Sequence, residues 1–309
     1  VLLPAVPGGV IRRREPQGMH DRARGAMLGL AVGDALGAAV EWLHPEQIQS
    51  RYGGPLRDMV ASGMWELGEW TDDTAMAVEL ASSMADQGGY DEDDVFGRYA
   101  LWARSRPKDI GATVAAALRR SRSAAEARAA AAAHHDAEGK SAGNGSLMRT
   151  VPIAIRYRDD AGAIERFSRL DSSLTHHDPL AADACTWFNL TVAALIQGRR
   201  PPRSLSEVGR IAEAAIAADE AELALAAKEQ RGFVLTTLRI AFAAAFRHDA
   251  FEPAVVFAVN LGGDADTNGA VTGALAGARF GADAIPQRWI EPLMRKEVVS
   301  GLANRLTRT

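Results

Sequence analysis

Two short acidic clusters lie far apart in the sequence, and each combines two carboxylates with a threonine hydroxyl. The clusters are Thr71-Asp72-Asp73-Thr74 and Asp264-Ala265-Asp266-Thr267. Oxygen ligands favour hard divalent cations such as Mg2+ or Mn2+, and both clusters lack the thiolate and imidazole groups that favour zinc or copper. Four carboxylates would repel one another unless two ions, about 3.5 to 4 Å apart, neutralised them. We therefore interpret the clusters as the two halves of one dinuclear metal site.

The same clusters also allow a purely structural interpretation. Each lies just before a stretch with helical spacing, and aspartate and threonine are common helix N-caps because their oxygens accept the free N–H groups of the first turn. Capping needs one oxygen per helix, whereas each cluster offers a second carboxylate that capping does not require. This duplication favours the metal interpretation.

Asp34 and Glu41 are two further carboxylates, seven residues apart in a segment with a helical pattern. Seven residues are close to two helical turns, so both side chains would point to the same side if the helix continues that far. Asp34 lies among apolar residues, where a carboxylate is seldom buried without a partner. The alternatives are that Asp34 caps a neighbouring helix and that Glu41 lies at the surface.

A glycine-rich turn and a pair of histidines could contact an anion. The turn is Gly143-Asn144-Gly145-Ser146-Leu147-Met148-Arg149, and the histidines lie in Thr175-His176-His177-Asp178-Pro179. Glycines let backbone N–H groups converge on an anion, although this turn is neither a dinucleotide fingerprint nor a P-loop and is, on its own, an ordinary tight turn. No further His or Cys lies at zinc-ligand spacing, so a phosphate contact or a hydrogen-bonded cap suits the histidines better.

The elements that must position these residues include two helices with glycine every four residues. The glycines are at positions 25, 29, 33 and 37 in one helix and at 269, 273, 277 and 281 in the other. Each glycine inside a helix costs about 1 kcal/mol relative to alanine, so a register of four indicates close approach of another backbone. We predict that both helices lie at the centre of the fold and could pack together, which would bring Asp34 and Glu41 close to Asp264 and Asp266.

Most of the chain between these helices also has a helical pattern. Alanine-rich amphipathic stretches recur at 75–86, 93–105, 112–133, 161–170, 179–197, 205–217, 233–246 and 251–259. Clusters of β-branched and aromatic residues at period two are scarce, which argues against a substantial sheet. The sequence therefore predicts an all-α fold, and its length permits one large domain or two smaller ones.

Composition limits the possible classes of protein. The chain has 309 residues, a net charge of −4, 47% hydrophobic and 24% charged residues, which is typical of a soluble globular protein. No apolar run reaches the roughly 18 residues of a membrane span, and the acidic balance argues against binding to nucleic acid phosphates. The single cysteine, Cys185, fits a small buried hydrophobe and a reducing, cytoplasmic compartment. We expect a monomer.

The amino-terminal residues do not resemble a secretory signal, because they lack its order of charged, apolar and small residues. Met19 stands just before the first periodic segment. We expect translation to begin at Met19 and residues 1–18 to form a disordered extension.

Taken together and in this order, the motifs resemble those of ADP-ribosylglycohydrolases. The motifs that carry the resemblance are the glycine helix from Gly25 to Gly37 with Glu41, Trp70 to Thr74, Gly143 to Arg149, Thr175-His176, and Gly262-Gly263 with the second acidic cluster. The resemblance covers about residues 22–285. It is closest to the dinitrogenase-reductase-activating glycohydrolase and ADP-ribosylarginine hydrolase group.

The resemblance implies an all-α fold of the ADP-ribosylglycohydrolase type, in which residues 19–309 form a compact single-domain bundle of many helices. It also implies two Mg2+ or Mn2+ ions in a central cleft. The implied metal ligands are Thr71, Asp72, Asp73, Asp264, Asp266 and Thr267. The implied contacts to the diphosphate and adjoining ribose are Gly143, Asn144, Gly145, Ser146, Met148 and His176. Glu41 would lie near the scissile bond, and the candidate catalytic residues are Glu41, Asp73 and Asp34. Either Glu41 or Asp73 could accept a proton from the attacking water, or Glu41 could protonate the leaving group.

The activity expected from the resemblance is hydrolysis of the glycosidic bond at the distal ribose, which releases ADP-ribose from a modified side chain. Arginine N-glycosides are favoured, while serine O-glycosides and free ADP-ribose derivatives stay open. The partner would be an ADP-ribosylated protein or a small molecule that contains ADP-ribose. A non-catalytic ADP-ribose-binding protein and a two-metal phosphohydrolase are the competing hypotheses.

Overall fold

The computed structural model describes residues 16–139, 142–204 and 206–308. Within these ranges the chain forms α-helices and two short 3-10 helices and contains no strand. The α-helices are α1 Pro16–Gly37, α2 Pro45–Tyr52, α3 Asp72–Gln87, α4 Glu92–Arg104, α5 Ala112–Leu118, α6 Ala124–Glu138, α7 Val151–Arg156, α8 Ala161–Ser173, α9 Pro179–Ile196, α10 Glu207–Ala214, α11 Glu220–Glu229, α12 Val234–Arg247, α13 Phe251–Asn260, α14 Ala265–Phe280, α15 Gln287–Ile290 and α16 Lys296–Thr307. The all-α prediction is confirmed.

The two glycine-bearing helices, α1 and α14, pack against each other along their glycine faces. A Cβ atom added to Gly33 would clash with the carbonyl oxygen of Gly269, and one added to Gly273 would clash with that of Gly29. The prediction that these glycines allow close backbone approach is therefore confirmed. The last glycine of the register, Gly281, lies beyond the end of α14 with φ 90°.

Helix α14 forms the centre of the fold. Every residue from 265 to 278 is buried, because α1, α9, α12 and α13 surround the helix and α3 lies near its start. A helix buried on all sides cannot shift without moving its neighbours. Its amino-terminal end, which carries the second acidic cluster, is therefore held at a fixed position.

One predicted helix is wrong in its extent. The alanine-rich stretch 112–133 is divided into α5 and α6 by an irregular segment. Arg104 of α4 donates hydrogen bonds to the carbonyl oxygens of Arg119 and Ser121, and the Ser123 hydroxyl accepts the N–H of Glu126 to begin α6. These side-chain contacts satisfy backbone groups that a continuous helix would otherwise pair, and local alanine content does not reveal them.

Helix α9 is long and apolar enough to cross a membrane by length and composition, but 67% of it is buried inside the fold. It packs against α7, α8 and α14, as a core helix does. Cys185 on this helix is a free and fully buried thiol, as predicted. Of the predicted amino-terminal extension, residues 1–15 lie outside the described residues, and α1 begins at Pro16, three residues before Met19.

The contact between α1 and α14 can be tested with Gly273→Ala. The added methyl group would meet the Gly29 carbonyl, so we expect a loss of about 1–3 kcal/mol in the free energy of unfolding, as for overpacked cores. Gly97→Ala is the matched control, because Gly97 lies within α4 with open space around it. Removing glycine there should stabilise the helix by about 0.5–1 kcal/mol. Equal stability of the two variants in urea denaturation would contradict the proposed backbone contact.

Candidate functional site

The two acidic clusters meet at the start of α3 and the start of α14. The Thr267 hydroxyl is 3.4 Å from Oδ2 of Asp73, and the same oxygen accepts from the Thr71 hydroxyl at 3.2 Å. The four carboxylates of the two clusters are all buried. Residues from opposite ends of the chain are thus in direct contact, although 194 positions separate Asp73 from Thr267.

Helix capping uses only part of these oxygens. At α3 the Thr71 hydroxyl accepts the N–H of Asp73, while Asp264, at the N-cap position of α14, makes no capping hydrogen bond. Oδ1 of Asp73 is buried and lacks a hydrogen-bond partner among the described residues. A buried carboxylate oxygen without a donor indicates a missing positive partner, because burying an unpaired charge is costly.

Asp34 holds the first cluster in place. Its carboxylate accepts the backbone N–H groups of Thr71 at 2.9 Å and Thr74 at 3.0 Å, and the Thr74 hydroxyl at 2.6 Å. Asp34 is fully buried and does not line the cleft. The sequence prediction counted it among the catalytic candidates, whereas these contacts match the alternative interpretation, a buried cap on a neighbouring helix. Asp34 therefore fixes the start of α3 to α1.

Glu41 reaches the second cluster through a backbone link beyond the end of α1. The N–H of Trp42 donates to the carbonyl of Gly263 at 2.6 Å, and the N–H of Gly263 donates to the carbonyl of Leu43 at 2.8 Å. Gly262 and Gly263 adopt φ of 72° and 69°, a region that glycine enters without strain. This link brings Glu41 beside the start of α14.

One carboxylate oxygen from each of Glu41, Asp264 and Asp266 lies within 4.8 Å of the other two. Three convergent carboxylates are a suitable oxygen set for a hard divalent cation. The sequence prediction treated Glu41 only as a catalytic residue, and its position also makes it a possible metal ligand.

Burial and repulsion between like charges both raise the pKa values of these carboxylates. Burial, followed by the charge of Asp109, raises the pKa of Glu41 to about 8 and that of Asp72 to about 7. The pKa values of Asp73 and Asp266 are raised well above their ordinary value, first by burial and then by neighbouring carboxylates. Without a cation the cluster therefore holds protons near neutral pH. A divalent cation would take the place of these protons, so the residues present fit a metal ion.

Asp109 is a site residue that the sequence prediction missed. It lines the cleft beside Asp72, whose Oδ2 accepts the N–H of Gly111 at 3.2 Å. Burial raises its own pKa, and the backbone N–H of Ile110 opposes this shift. An isolated aspartate in a loop between Pro107 and Gly111 carries no pattern that distinguishes it from a surface residue.

The clusters form one wall of a cleft of about 340 Å³. The acidic wall consists of Glu41, Asp72, Asp109, Asp264, Asp266 and Thr267, and the rest of the lining includes Gly143, Asn144, Gly145, Met148, His176 and Arg231. Trp42 lies at the mouth with half of its surface exposed, and the Arg231 guanidinium lies 5.8 Å from its ring centre. Neither Arg231 nor Trp42 was a predicted site residue. Thr71 and Asp73 lie behind the acidic wall and do not line the cleft.

The glycine-rich turn contacts the acidic wall and His176. Nδ2 of Asn144 donates to Asp264 at 2.7 Å and to the Thr237 hydroxyl at 2.9 Å. The His176 ring lies against Gly143 and Gly145, where an added Cβ would be 3.0 Å from Nε2 and 3.1 Å from Cε1 respectively. Glycine at both positions therefore leaves room for the imidazole.

Ser146 was predicted to contact substrate, but its side chain points into the core. It is fully buried, and its hydroxyl accepts hydrogen bonds from Ser172 at 2.9 Å and from the Cys185 thiol at 3.4 Å. Ser146 is also absent from the lining of the cleft. Its hydroxyl therefore connects the glycine-rich turn to α8 and α9 and does not face the cleft.

Comparison with known proteins gives consistent matches over almost the whole chain. A family model described as ADP-ribosylglycohydrolase matches residues 15–309. The ADP-ribosyl-[dinitrogen reductase] glycohydrolase of Rhodospirillum rubrum is 36% identical over 280 residues, which cover 90% of this chain and 92% of the relative. The ADP-ribosylarginine hydrolase Tri1 of Serratia proteamaculans is 31% identical over 299 residues, 93% of this chain and 79% of the relative.

A solved structure titled "ADP-ribosylglycohydrolase-related protein complex" is also similar. Its TM-score is 0.71 at 32% sequence identity, and the match covers 94% of this chain and 99% of that chain. The shared fold therefore extends over nearly all of both chains.

Asp264→Asn should change thermal stability in opposite directions with and without a cation. In chelator-treated protein at about pH 9, above the pKa of Glu41, it removes a charge that repels the ionised Glu41, so we expect the melting temperature to rise. Mn2+ at one hundred times its Kd should stabilise the wild type by about 2.7 kcal/mol. The same Mn2+ concentration should stabilise the variant much less.

The matched control for Asp264→Asn is Asp93→Asn, because Asp93 is exposed on α4. The control should respond to chelator and to Mn2+ as the wild type does. Differential scanning fluorimetry measures the melting temperatures of all three proteins. A lower melting temperature for Asp264→Asn in chelator, together with an undiminished gain in Mn2+, would refute like-charge repulsion and metal binding at this cluster.

Proposed function

This chain belongs to the ADP-ribosylglycohydrolase family, and we propose that it is a metal-dependent hydrolase that removes ADP-ribose from modified arginine side chains. Family membership makes it a glycosidic-bond hydrolase. The observation that supports the metal dependence is the contact between Asp73 of one acidic cluster and Thr267 of the other. Without a positive partner, so many buried carboxylates would be strongly destabilising.

We propose that six residues hold the ions, which we take to be two Mg2+ or Mn2+. They are Thr71, Asp72, Asp73, Asp264, Asp266 and Thr267, with Glu41 close enough to Asp264 and Asp266 to join them. When bound, the cations would neutralise the carboxylates and supply Lewis acidity next to the distal ribose. The unpartnered Oδ1 of Asp73 and the convergence of Glu41 with Asp264 support this assignment.

The chain's own carboxylates would act on the reacting ribose. Cleavage at its anomeric carbon develops positive charge of oxocarbenium type, which nearby carboxylates stabilise. Glu41 lines the cleft with a partly exposed side chain, so its carboxyl group is accessible to the substrate. It can therefore hold a proton for the leaving group or accept one from the attacking water. Asp73 lies behind the wall with 1% of its surface exposed, which favours Glu41 over Asp73 for proton transfer.

The rest of the lining, with the glycine-rich turn and His176, would bind the diphosphate and the adjoining ribose. Gly143 and Gly145 leave backbone groups and the His176 ring accessible at the lining, and Met148 adds an apolar contact surface. Burial lowers the pKa of His176 to about 3, with a further contribution from the charge of Arg149. The ring is therefore neutral, and it contacts phosphate oxygens as a hydrogen-bond donor and not as a cation.

The arginine preference is supported by the relative named for that activity, the ADP-ribosylarginine hydrolase Tri1. Serine O-glycosides and free ADP-ribose derivatives are the alternatives, because the same cleft residues would hold the ADP-ribose part of each. We further propose that the enzyme acts as a monomer in the cytoplasm on ADP-ribosylated protein or on small molecules that contain ADP-ribose. A non-catalytic binding protein is disfavoured, since both acidic clusters retain their carboxylates.

The activity is tested by incubating the protein with Mg2+ or Mn2+ and ADP-ribosylated arginine, ADP-ribosylated serine or ADP-ribose, with analysis of products by chromatography. We expect release of free ADP-ribose from the arginine conjugate and loss of this release in chelator. AMP formation would instead identify a phosphohydrolase. Binding without turnover would identify a binding protein, and release from serine alone would overturn the arginine preference.

Glu41→Gln should lower the rate of ADP-ribose release by about 100-fold or more, as expected when a general acid or base is removed. Glu46→Gln is the matched control, because Glu46 is exposed in the first turn of α2 and does not line the cleft. The control should keep the wild-type rate. A wild-type rate for Glu41→Gln at saturating metal would exclude Glu41 from proton transfer.

A further inference from the structure

A buried network of polar side chains lies directly behind His176. Arg149, Asp171, Tyr99 and Thr175 have at most 1% of their surface exposed. The Arg149 Nε donates to Oδ2 of Asp171 at 3.0 Å, and the Tyr99 hydroxyl donates to Oδ1 of Asp171 at 3.0 Å. The charges of Arg149 and Asp171 are therefore paired away from the cleft.

Arg149 extends this network to the glycine-rich turn and to the histidine. Nη2 donates to the backbone carbonyl of Asp171 at 2.8 Å, and Nη1 donates at 2.9 Å both to the carbonyl of Gly145 and to Oγ1 of Thr175. A guanidinium has five N–H donors and no acceptor, so Oγ1 of Thr175 must be the acceptor in its contact with Arg149. Both hydrogens of Nη1 are thereby used.

The remaining contact of Thr175 determines where the imidazole carries its proton. Oγ1 of Thr175 is 2.8 Å from Nδ1 of His176. A hydroxyl oxygen can accept two hydrogen bonds but has a single hydrogen to donate, and among the described residues Nδ1 of His176 is the acceptor within reach of the Thr175 hydrogen. Nδ1 is then an acceptor without a hydrogen, so the proton of a neutral ring is on Nε2.

We propose that Arg149, acting through Thr175, fixes His176 as the Nε2–H tautomer, so that the ring presents a neutral hydrogen-bond donor beside Gly143 and Gly145. Arg149 and Thr175 are positioning residues in this arrangement. The Nε2 atom lies on the side of the ring that faces Gly143, where a Cβ would be only 3.0 Å away. An acceptor oxygen of the ligand fits this donor, and its identity as an ADP-ribose oxygen rests on the proposed function.

The arrangement also explains why the ring stays uncharged. An imidazolium would donate its Nδ1 hydrogen to Thr175, which would leave the buried Thr175 hydroxyl hydrogen without an acceptor among the described residues. Burial and the positive charge of Arg149 lower the pKa of His176 in the same sense. A neutral donor can bind a ligand oxygen without also attracting the carboxylates of the acidic wall.

The tautomer can be measured directly by long-range 1H–15N correlation spectroscopy on the full Mg2+-loaded chain with 15N-labelled histidine at pH 7. His176→Gln identifies the His176 signals. We expect an unprotonated Nδ1 and a protonated Nε2. A protonated Nδ1, or nitrogen shifts averaged between the two tautomers, would overturn the proposal.

The relay through Thr175 is tested with Thr175→Val and Thr175→Ser. The valine variant should give averaged His176 shifts and a Kd for ADP-ribose raised by about three- to tenfold, the loss of one hydrogen bond. KM for the substrate should rise more than kcat falls, and the serine variant should restore the wild-type spectrum. Thr186→Val is the matched control, because the Thr186 hydroxyl donates only within α9, to the carbonyl of Ala182.

Wild-type His176 shifts in Thr175→Val would contradict the relay. If the valine variant does not fold, the wild-type spectrum and the serine variant still decide the tautomer. The tautomer is read without substrate, so it does not depend on turnover. A wild-type enzyme with the expected spectrum that releases no ADP-ribose would refute the proposed function alone.

Discussion

The cleft depends on two helix backbones that touch without side chains between them. Because glycines of α1 and α14 face one another, the residues that follow α1 and those that begin α14 lie within hydrogen-bonding distance. The link between Trp42 and Gly263 continues this contact beyond the helices. A larger residue in the interface would separate the helices and move Glu41 away from Asp264 and Asp266.

Close approach brings together groups that repel one another, so the fold must hold them in place by other interactions. Asp34 ties the start of α3 to α1 through Thr71 and Thr74, and Asn144 of the glycine-rich turn donates a hydrogen bond to Asp264. These hydrogen bonds fix the positions of the acidic clusters but add little positive charge to neutralise the carboxylates. Burial, followed by the charge of neighbouring carboxylates, raises the pKa values of Glu41 and Asp72. A cation that binds here therefore finds ligands already assembled, which reduces the cost of ordering them.

Much of this organisation could be predicted from the sequence, because it depends on regular patterns. Glycine at every fourth position indicated the central helix contact, and duplicated carboxylates indicated more than capping. The remaining features depend on tertiary contacts without a local pattern. Asp109 lies in an ordinary loop, Ser146 turns inward to Ser172, and Arg104 on a different helix interrupts the stretch 112–133. Asp34 had two interpretations, and only its contacts with Thr71 and Thr74 distinguish them.

The central claim is that carboxylates from both ends of the chain bind divalent cations in one cleft. Crystals grown with Mn2+ and measured at the manganese absorption edge test it most directly, since anomalous scattering locates the ions independently of any model. We expect anomalous peaks between the cluster that begins α3 and the cluster that begins α14, within coordination distance of Asp72 and Asp266. An absence of anomalous density between the two clusters would contradict the account, whether or not Mn2+ binds elsewhere on the protein.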